Sequence, residues 1–366
     1  MKIFIDNPFK QEGDFEFNGN IISNLNYRYY LNKKPSLFDY FKGGYSNSSI
    51  SSKLFNPHYL NRLYLEKDKD YFRFLNTFYE KYRDYDVLVM TPGENLVHPE
   101  FLYQNFSNSL KVIMCVDDPF CTYSSILPYS WVFDAALYVS PSYSPQFTMK
   151  ELLNLAGIKS TLWYPLTFSN HMQPKWRNED LALQLKLRKK KAVYFGNFYK
   201  DKMDRLIYLK KKLKKDFEIY GKYPLKGFSF FAYSLFKKMP LIYFPKFVST
   251  EEKEKIYENI AVGVNMHLSH PSIEVGNARL YELAYRGVAQ VVDISKNSLL
   301  KDIFEPNKEI LTYEDMDQCI YQTNRLLKDD KLRYNIALSA YEKCKKKFSY
   351  TKTLSDTIEW FKLLRK

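Results

Sequence analysis

The chain has 366 residues, of which 45% are hydrophobic and 17% aromatic, and its formal net charge at pH 7 is +14. This length is enough for two α/β domains with sizeable cores, and the hydrophobic content excludes an intrinsically disordered chain. The positive charge favours a polyanionic partner, but charge alone does not distinguish nucleotide phosphates, anionic lipid and nucleic acid.

The cysteines and the N-terminus indicate the compartment. Four cysteines form no CxxC pair and have no histidines at zinc spacing: Cys115, Cys121, Cys319 and Cys344. We therefore expect reduced thiols and no metal site. The N-terminus becomes charged too early for a signal peptide, and no apolar run approaches the roughly 18 residues of a membrane span. These features predict a cytoplasmic protein.

In the first half, short apolar runs alternate with helical patterns. Such alternation predicts a mostly parallel sheet with helices on both faces. Helical patterns cover 20–40 and 60–84, separated by a Gly/Ser/Asn loop at 41–56. The predicted strands are 2–5, 86–90, 112–116, 134–140 and 160–164.

A polar stretch at 168–191 marks the approach to a second α/β unit. Its basic end is interpreted as a solvated helix end. Predicted strands follow at 192–195 and 217–220, with a very basic helix at 200–215 between them. The segment 222–246 mixes aromatic residues with lysines, which fits either an insertion that touches lipid headgroups or a core-packing loop.

The most informative stretch runs from 260 to 293 and reads as strand, loop, helix and strand. Ser249, followed by Thr250 and two acids, predicts the N-cap of the helix that leads into it. A polar turn that opens a helix after a parallel strand can hold a phosphate, because free N–H groups and the helix dipole point at the ligand. Glu274 and Glu282 stand on either side of this turn, with seven residues between them. Further helices follow, the last at 354–364.

Several motifs of the second half resemble the GT-B glycosyltransferases, in particular the group that includes the spore-maturation CgeB-like proteins. They are YFGN at 194–197, IYG at 219–221, the stretch 247–267, and NARLYELAYRGVAQVVD at 277–293. VDDPF at 116–120 and the stretch 133–143 fit the group more loosely, so the resemblance covers about 112–345. It implies an α/β protein of GT-B fold, with two Rossmann-like domains facing each other across a cleft.

The implied domain plan has four parts. An acceptor-binding domain covers 1–170, a linker 171–191, and a nucleotide-sugar-binding domain 192–348. The fourth part is the C-terminal helix, 349–366, which in this plan could pack back on the N-terminal domain.

The chemistry of a sugar-nucleotide site fits the 274–282 segment. A diphosphate needs N–H donors and positive charge, which Gly276, Asn277 and Ala278 would supply from the backbone and Arg279 from its guanidinium. The Glu282 carboxylate would accept hydrogen bonds from two ribose hydroxyls. The alternative is that Glu282 is a solvent-facing helix residue without a binding role. The resemblance implies that Glu274 faces the donor sugar.

Other candidates lie at the ends of predicted strands, where α/β sheets bind ligands. Asn265 and His267 follow one strand, and His267 would contact a donor phosphate, act on an acceptor hydroxyl or merely pack in its loop. Asn197 could approach the phosphates. Asp118, next to Asp117, is a candidate general base or a helix cap. The resemblance implies that the nucleobase lies near Lys246, Phe247 and Val248. The alternative is that these three are ordinary core residues without a binding role.

We therefore expect a glycosyltransferase that moves a sugar, of hexosyl type, from a nucleotide diphosphate to a hydroxyl of a glycan, lipid-linked or protein acceptor. The resemblance implies retention of configuration, no metal and no cofactor beyond the donor, and cell-surface polysaccharide synthesis as the setting. Peripheral contact with an anionic membrane is an option. The alternatives are a nucleotide-sugar epimerase or phosphorylase on the same fold, and a non-enzymatic nucleic-acid-binding protein, for which no motif is present.

Overall fold

A computed structural model describes residues 1–5, 13–24, 57–91, 97–115, 126–139, 147–165, 167, 178–196, 200–221, 248–267, 277–294 and 300–366. The chain divides into two compact units. The first comprises 1–164 together with 354–366, and the second comprises 165–353. The segment predicted as a linker, 171–191, lies within the second unit, and most of the C-terminal helix belongs to the first.

The first unit contains a seven-stranded sheet in the order β2-β3-β1-β4-β5-β6-β7. All pairings are parallel except that of β2 with β3, as expected from the alternation of strands and helices. The strands are β1 (Lys2–Ile5), β2 (Gly13–Phe17), β3 (Asn20–Asn24), β4 (Val87–Met90), β5 (Leu110–Cys115), β6 (Ala135–Tyr138) and β7 (Ser160–Trp163).

The β2–β3 hairpin corrects the helix predicted over 20–40. Asn20–Asn24 is a strand that pairs antiparallel with Gly13–Phe17. The two strands are joined by Asn18 and Gly19, both with positive φ, of 49° and 71°. An Asn-Gly pair with positive φ at both positions is the sequence signal of a tight hairpin. The rest of the predicted helix, together with the loop at 41–56, lies outside the described residues.

The helical stretch predicted at 60–84 is two helices, α1 (Pro57–Leu65) and α2 (Lys69–Tyr82). Asp68 separates them because its carboxylate caps α2 by accepting from two backbone N–H groups. The remaining helices of this unit are α3 (Pro99–Asn105), α4 (Met149–Leu155) and, at the end of the chain, α12 (Tyr350–Leu364). A 3-10 segment, Leu127–Val132, precedes β6.

The second unit has a five-stranded, fully parallel sheet in the order β12-β11-β10-β8-β9. The chain runs from β8 outward to β9, then returns to the other side of β8 to form β10. The topological switch point therefore lies between β8 and β10, where open α/β sheets bind ligands at their carboxyl ends. The strands are β8 (Lys189–Phe195), β9 (Phe217–Tyr220), β10 (Ile260–Asn265), β11 (Ala289–Asp293) and β12 (Leu311–Tyr313).

Helices cover the second sheet, and β10 and most of β11 are buried. The basic run interpreted as a helix end is in fact the beginning of β8, since this strand starts at Lys189 and not at the predicted residue 192. The helices are α5 (Asn178–Leu187), α6 (Lys200–Leu213), α7 (Thr250–Asn259), α8 (Ala278–Tyr285), α9 (Leu300–Ile303), α10 (Met316–Lys328) and α11 (Asp330–Lys343).

Two glycines allow α8 to pack tightly. A Cβ on Gly263 of β10 would lie 2.5 Å from the side chain of Leu283, so this glycine lets the helix approach the strand. Gly287 follows the C-cap of the helix with a φ of +56°, the left-handed conformation in which helices commonly end at a glycine. The helix is therefore fixed against the strand whose carboxyl end carries the candidate site.

Two further expectations concern thiols and membranes. Cys115, Cys319 and Cys344 are buried free thiols, whereas Cys121 lies outside the described residues. No helix in the described part of the chain is long and apolar enough to cross a bilayer.

Candidate functional site at the switch point of the second sheet

The carboxyl ends of β8 and β10 meet the N-terminus of α8. Asn277 caps this helix, because its Oδ1 accepts a hydrogen bond from the Leu280 backbone N–H at 3.1 Å. The Asn277 side chain also exchanges two hydrogen bonds with the side chain of Asn265, at 2.9 and 3.1 Å. Asn265 is the last residue of β10 and is fully buried. This amide pair ties the helix start to the strand end, with Ala278 as the first helical residue.

Arg279 lies over the switch point. Its Nη1 donates to Oδ1 of Asn265 at 3.2 Å, and its guanidinium carbon lies 5.2 Å from the centre of the Tyr194 ring in β8. A Cβ on Gly196, the residue after β8, would lie only 2.6 Å from Nη2 of Arg279. The glycine leaves room for the guanidinium, which spans the carboxyl ends of both strands. A planar cation in this position can bind an anionic ligand bidentately.

Glu282 is not a solvent-facing helix residue. Its carboxylate accepts from Nζ of Lys253 at 2.9 Å and from the hydroxyl of Tyr257 at 3.2 Å, both on α7. The side chain is 21% exposed. Burial raises the pKa of Tyr257 well above its usual value, and the Glu282 carboxylate adds to this, so the tyrosine stays a donor. The carboxylate is therefore held in place and partly neutralised while its edge remains accessible.

His267 follows β10 and is bound by Asp293, the last residue of β11. The Asp293 carboxylate accepts from the His267 backbone N–H at 2.9 Å and lies 2.7 Å from the imidazole Nδ1. Only 7% of His267 is exposed, and its Nε2 has no hydrogen-bond partner among the described residues. The imidazole is thus fixed through Nδ1, while Nε2 is buried and makes no hydrogen bond within the described part of the chain.

Two cations from the basic helix α6 complete this cluster. Lys202 donates to the carbonyl of Met266 at 2.8 Å, and Arg205 donates to the carbonyl of His267 at 3.2 Å. Arg205 also lies 3.5 Å from the Asp293 carboxylate. Burial alone would raise the pKa of Asp293, but His267 and Arg205 outweigh it and the pKa is lowered. Asp293 is therefore a carboxylate at neutral pH.

The remaining predicted positions fall into two groups. Val248 is half-buried and packs against a cluster that includes Phe195 and Tyr257, which fits an ordinary core residue as well as a wall of a base pocket. The segment 222–246 lies outside the described residues. So do the other candidates, which are Asp118, Asn197, Lys246, Phe247, Glu274 and Gly276. Among the described residues, no group of three or more His, Cys, Asp or Glu side chains could hold a metal ion.

The structure thus brings Asn277, Ala278 and Arg279 together with Asn265 at one point, and His267 lies two residues after Asn265. The sequence analysis missed Asp293, Lys202, Arg205, Lys253 and Tyr257. One signal was available for Asp293: it ends a predicted strand, and strand ends of a parallel sheet share an edge. No pattern in the sequence singles out the other four.

Comparisons with known proteins bear on the fold. Residues 202–359 match a protein family described as glycosyl transferase-like. Sucrose-phosphate synthase from Thermosynechococcus elongatus has a similar structure, with a TM-score of 0.58 and 12% identity over 99% of this chain and 88% of that one. HepE from Anabaena, solved with UDP and glucose, has a TM-score of 0.56 and 12% identity over 79% of this chain and 81% of its own.

TarM from S. aureus is also similar, with a TM-score of 0.52 and 16% identity over 75% of this chain. The matched region spans only 54% of TarM, about half its length. No curated protein matches the chain in sequence. The two mostly parallel sheets and these structures confirm the predicted fold: the protein has the GT-B fold with two Rossmann-like units, and its residues 202–359 match a family described as glycosyl transferase-like.

Proposed function

We propose that the protein is a glycosyltransferase that transfers a hexose from a nucleotide diphosphate to a hydroxyl of a glycan, lipid-linked or protein acceptor. The observation that carries this proposal is the position of Arg279. Its guanidinium is held by Asn265 and lies beside Gly196, at the switch point where this sheet type binds ligands. The similar HepE was solved with UDP-glucose, which supports a nucleotide sugar as donor.

The donor diphosphate would bind at the start of α8. Backbone N–H groups of Gly276, Asn277 and Ala278 and the Arg279 guanidinium would supply hydrogen bonds and positive charge. These groups stabilise the charge that develops on the leaving diphosphate, so the reaction we propose needs no metal. Their geometry is pre-organised because Asn277 both caps the helix and binds Asn265.

The ribose would lie against Glu282, about one turn along the same helix from Ala278. A carboxylate accepts hydrogen bonds from two neighbouring hydroxyls, and Lys253 and Tyr257 hold this one in place. In this proposal Lys246, Phe247 and Val248 surround the base, and Asn197 approaches the phosphates.

His267 would contact the reacting end of the donor through Nε2, while Asp293 fixes the ring. Glu274 would face the donor sugar and Asp118 would serve as general base for the acceptor hydroxyl. The same proposal has four further parts: retention of configuration, membership of the CgeB-like group, a cytoplasmic location and cell-surface polysaccharide synthesis. These parts rest on the resemblance of the motifs at 194–197 and 277–293.

Thermal denaturation with a panel of nucleoside diphosphates and nucleotide sugars tests the proposal. A ligand that binds only the folded state raises the melting temperature, and a saturating nucleotide should raise it by several degrees. Arg279→Ala should abolish this rise. Arg325→Ala is the matched control, because its guanidinium also lies over a tyrosine ring, at 5.7 Å from the centre of Tyr321, but in α10.

The bound nucleotide sugar is then incubated with and without candidate acceptors. Transfer predicts release of nucleoside diphosphate that depends on the acceptor, whereas an epimerase converts the free nucleotide sugar without one. If no nucleoside diphosphate or nucleotide sugar raises the melting temperature of the wild-type protein, the proposed function is wrong.

A further inference from the structure

The amino edge of the second sheet carries a surface that the candidate donor site does not use. Helix α5 ends at Leu187, and strand β8 begins two residues later at Lys189. On the neighbouring strand, the 3-10 turn Lys214–Asp216 directly precedes Phe217, which is paired with Ala192 of β8. Because paired strands lie about 4.8 Å apart, the lysines of this turn lie beside the first residues of β8.

Two leucines of α5 face solvent on one side of the helix. Leu183 is 59% exposed and Leu187 is 70% exposed, and the exposed Lys186 lies between them. The three residues have i, i+3 and i+4 spacing, so they share one face. Leu181 and Leu185 are buried, so the helix uses its other side for the core. Adjacent exposed leucines on one helix face are typical of an interaction surface.

Lysines lie at the end of this helix, at the start of β8 and in the turn before β9. Four exposed lysines form no ion pair with a described residue: Lys186, Lys189, Lys214 and Lys215. Two more, Lys190 and Lys191, are paired with Asp330 and Glu218. These six lysines outnumber the nearby acids Asp180, Asp216, Glu218 and Asp330, so the local charge of the named groups is positive.

We propose that this surface docks the protein on an anionic lipid bilayer. We call it the basic leucine face, formed by Leu183, Lys186, Leu187, Lys189, Lys214 and Lys215. Lysine ammonium groups attract anionic headgroups, and leucine side chains enter the boundary between headgroups and acyl chains. A nucleic acid would engage the lysines through its phosphates but would gain little from exposed leucines. The combination of both residue types favours the bilayer.

Docking and nucleotide binding use opposite edges of the second sheet. The basic leucine face lies at the amino ends of β8 and β9, whereas Asn265 and Arg279 lie at the carboxyl ends of β10 and β8. The two properties can therefore be lost separately. The docking proposal does not depend on the proposed transfer reaction, and its failure would leave that reaction untouched.

Co-sedimentation of the full chain with vesicles tests the proposal. Vesicles of phosphatidylcholine alone are compared with vesicles that also contain phosphatidylglycerol. One variant replaces the four lysines by glutamine and another is Leu183→Ser with Leu187→Ser. The matched control changes a similar exposed patch of the first unit, Leu155→Ser with Lys150→Gln and Lys159→Gln; Leu155 is 75% exposed.

We expect binding only to the vesicles with phosphatidylglycerol. The lysine variant should bind on the order of 100-fold more weakly, and the leucine variant about 10-fold more weakly. The control should bind like the wild type, and all variants should keep its melting temperature. Equal binding to both vesicle types, or unchanged binding in the lysine and leucine variants, would overturn the proposal. The proposal would also be overturned if the wild type bound single-stranded RNA more tightly than the vesicles, and if the lysine variant lost this RNA binding while the leucine variant kept it.

Discussion

The Nδ1 atom of His267 lies 2.7 Å from Oδ1 of Asp293, and the backbone N–H of the same histidine donates to both carboxylate oxygens at 2.9 Å. A carboxylate only accepts hydrogen bonds, so the imidazole carries a hydrogen on Nδ1. This leaves the buried Nε2, which has no hydrogen-bond partner among the described residues, as the nitrogen that would meet a substrate in the proposed function. Asp293 ends β11 and His267 lies two residues beyond the end of the adjacent β10, so the pairing of the strands brings the two residues together.

Asp293→Asn should impair transfer without unfolding the protein. The amide keeps an acceptor for the backbone of His267 but loses the charge that holds the Nδ1 hydrogen. We expect kcat to fall about 10- to 100-fold, with a smaller change in KM for the donor. Steady-state kinetics of the single variants and the double variant with His267→Ala measure this. Asp293→Asn should add little once His267 is gone, and additive losses would contradict a positioning role for Asp293.

Gly196→Ala should weaken diphosphate binding by displacing Arg279. The new Cβ would lie 2.6 Å from Nη2 of Arg279 and 2.7 Å from the Tyr194 hydroxyl. We expect a loss of about 10-fold in affinity for nucleoside diphosphates, comparable to one charged hydrogen bond. Isothermal titration calorimetry checks it. Gly13→Ala is the control, because its φ of 151° is close to the 157° of Gly196 but nothing lies within 4 Å of its Cβ. Similar losses in both variants would count against the contact with Arg279.

Most of the order of strands and helices could be predicted because both sheets are mostly parallel and buried. Buried strands such as β10 appear in the sequence as continuous apolar runs. The capping box of α7, in which Ser249 and Glu252 exchange hydrogen bonds, was also readable from local sequence. The β2–β3 hairpin was missed since its Asn18-Gly19 turn is a short signal in a polar stretch followed by a Tyr-rich pattern.

The site was only partly predictable, for a different reason. Asn277, Arg279 and Glu282 lie on one helix, so their spacing along the chain reveals their shared location. Asp293 meets His267 only through the pairing of β10 with β11, and Arg205 reaches them from a helix about 60 residues earlier. Contacts of this kind depend on strand order and on helix orientation, which periodicity does not encode.

Glu282→Gln should weaken binding of nucleoside diphosphates but not of inorganic pyrophosphate. If Glu282 holds the ribose, the loss of its charge affects only ligands with a ribose, by about 10-fold. Arg279→Lys should weaken both ligands, because lysine cannot bind a diphosphate bidentately. Competition binding with the two ligands separates these effects. A Glu282→Gln variant that loses pyrophosphate as strongly as nucleotide would show that this carboxylate acts on the phosphate end.

His98 should make the first unit less stable as the pH falls. Its Nδ1 accepts from the Glu100 backbone N–H at 3.3 Å, which caps α3, and its ring stacks on Tyr64 with centroids 3.9 Å apart. Burial lowers the pKa of His98 from 6.5 to about 4. The folded state therefore keeps the imidazole neutral, while the unfolded chain takes up a proton as the pH falls below 6.5. Stability from this group is complete above pH 6.5 and is lost progressively down to about pH 4.

His98→Asn provides the test, because asparagine is a good N-cap and does not titrate. Urea unfolding is followed by tryptophan fluorescence between pH 7.5 and 4.5, a window that covers most of this loss. We expect the unfolding midpoint of the wild type to fall more steeply with decreasing pH than that of the variant, even if the variant is less stable at pH 7.5 for want of the Tyr64 stack. Parallel pH dependence in the two proteins would show that His98 is protonated in the folded state as readily as in the unfolded chain.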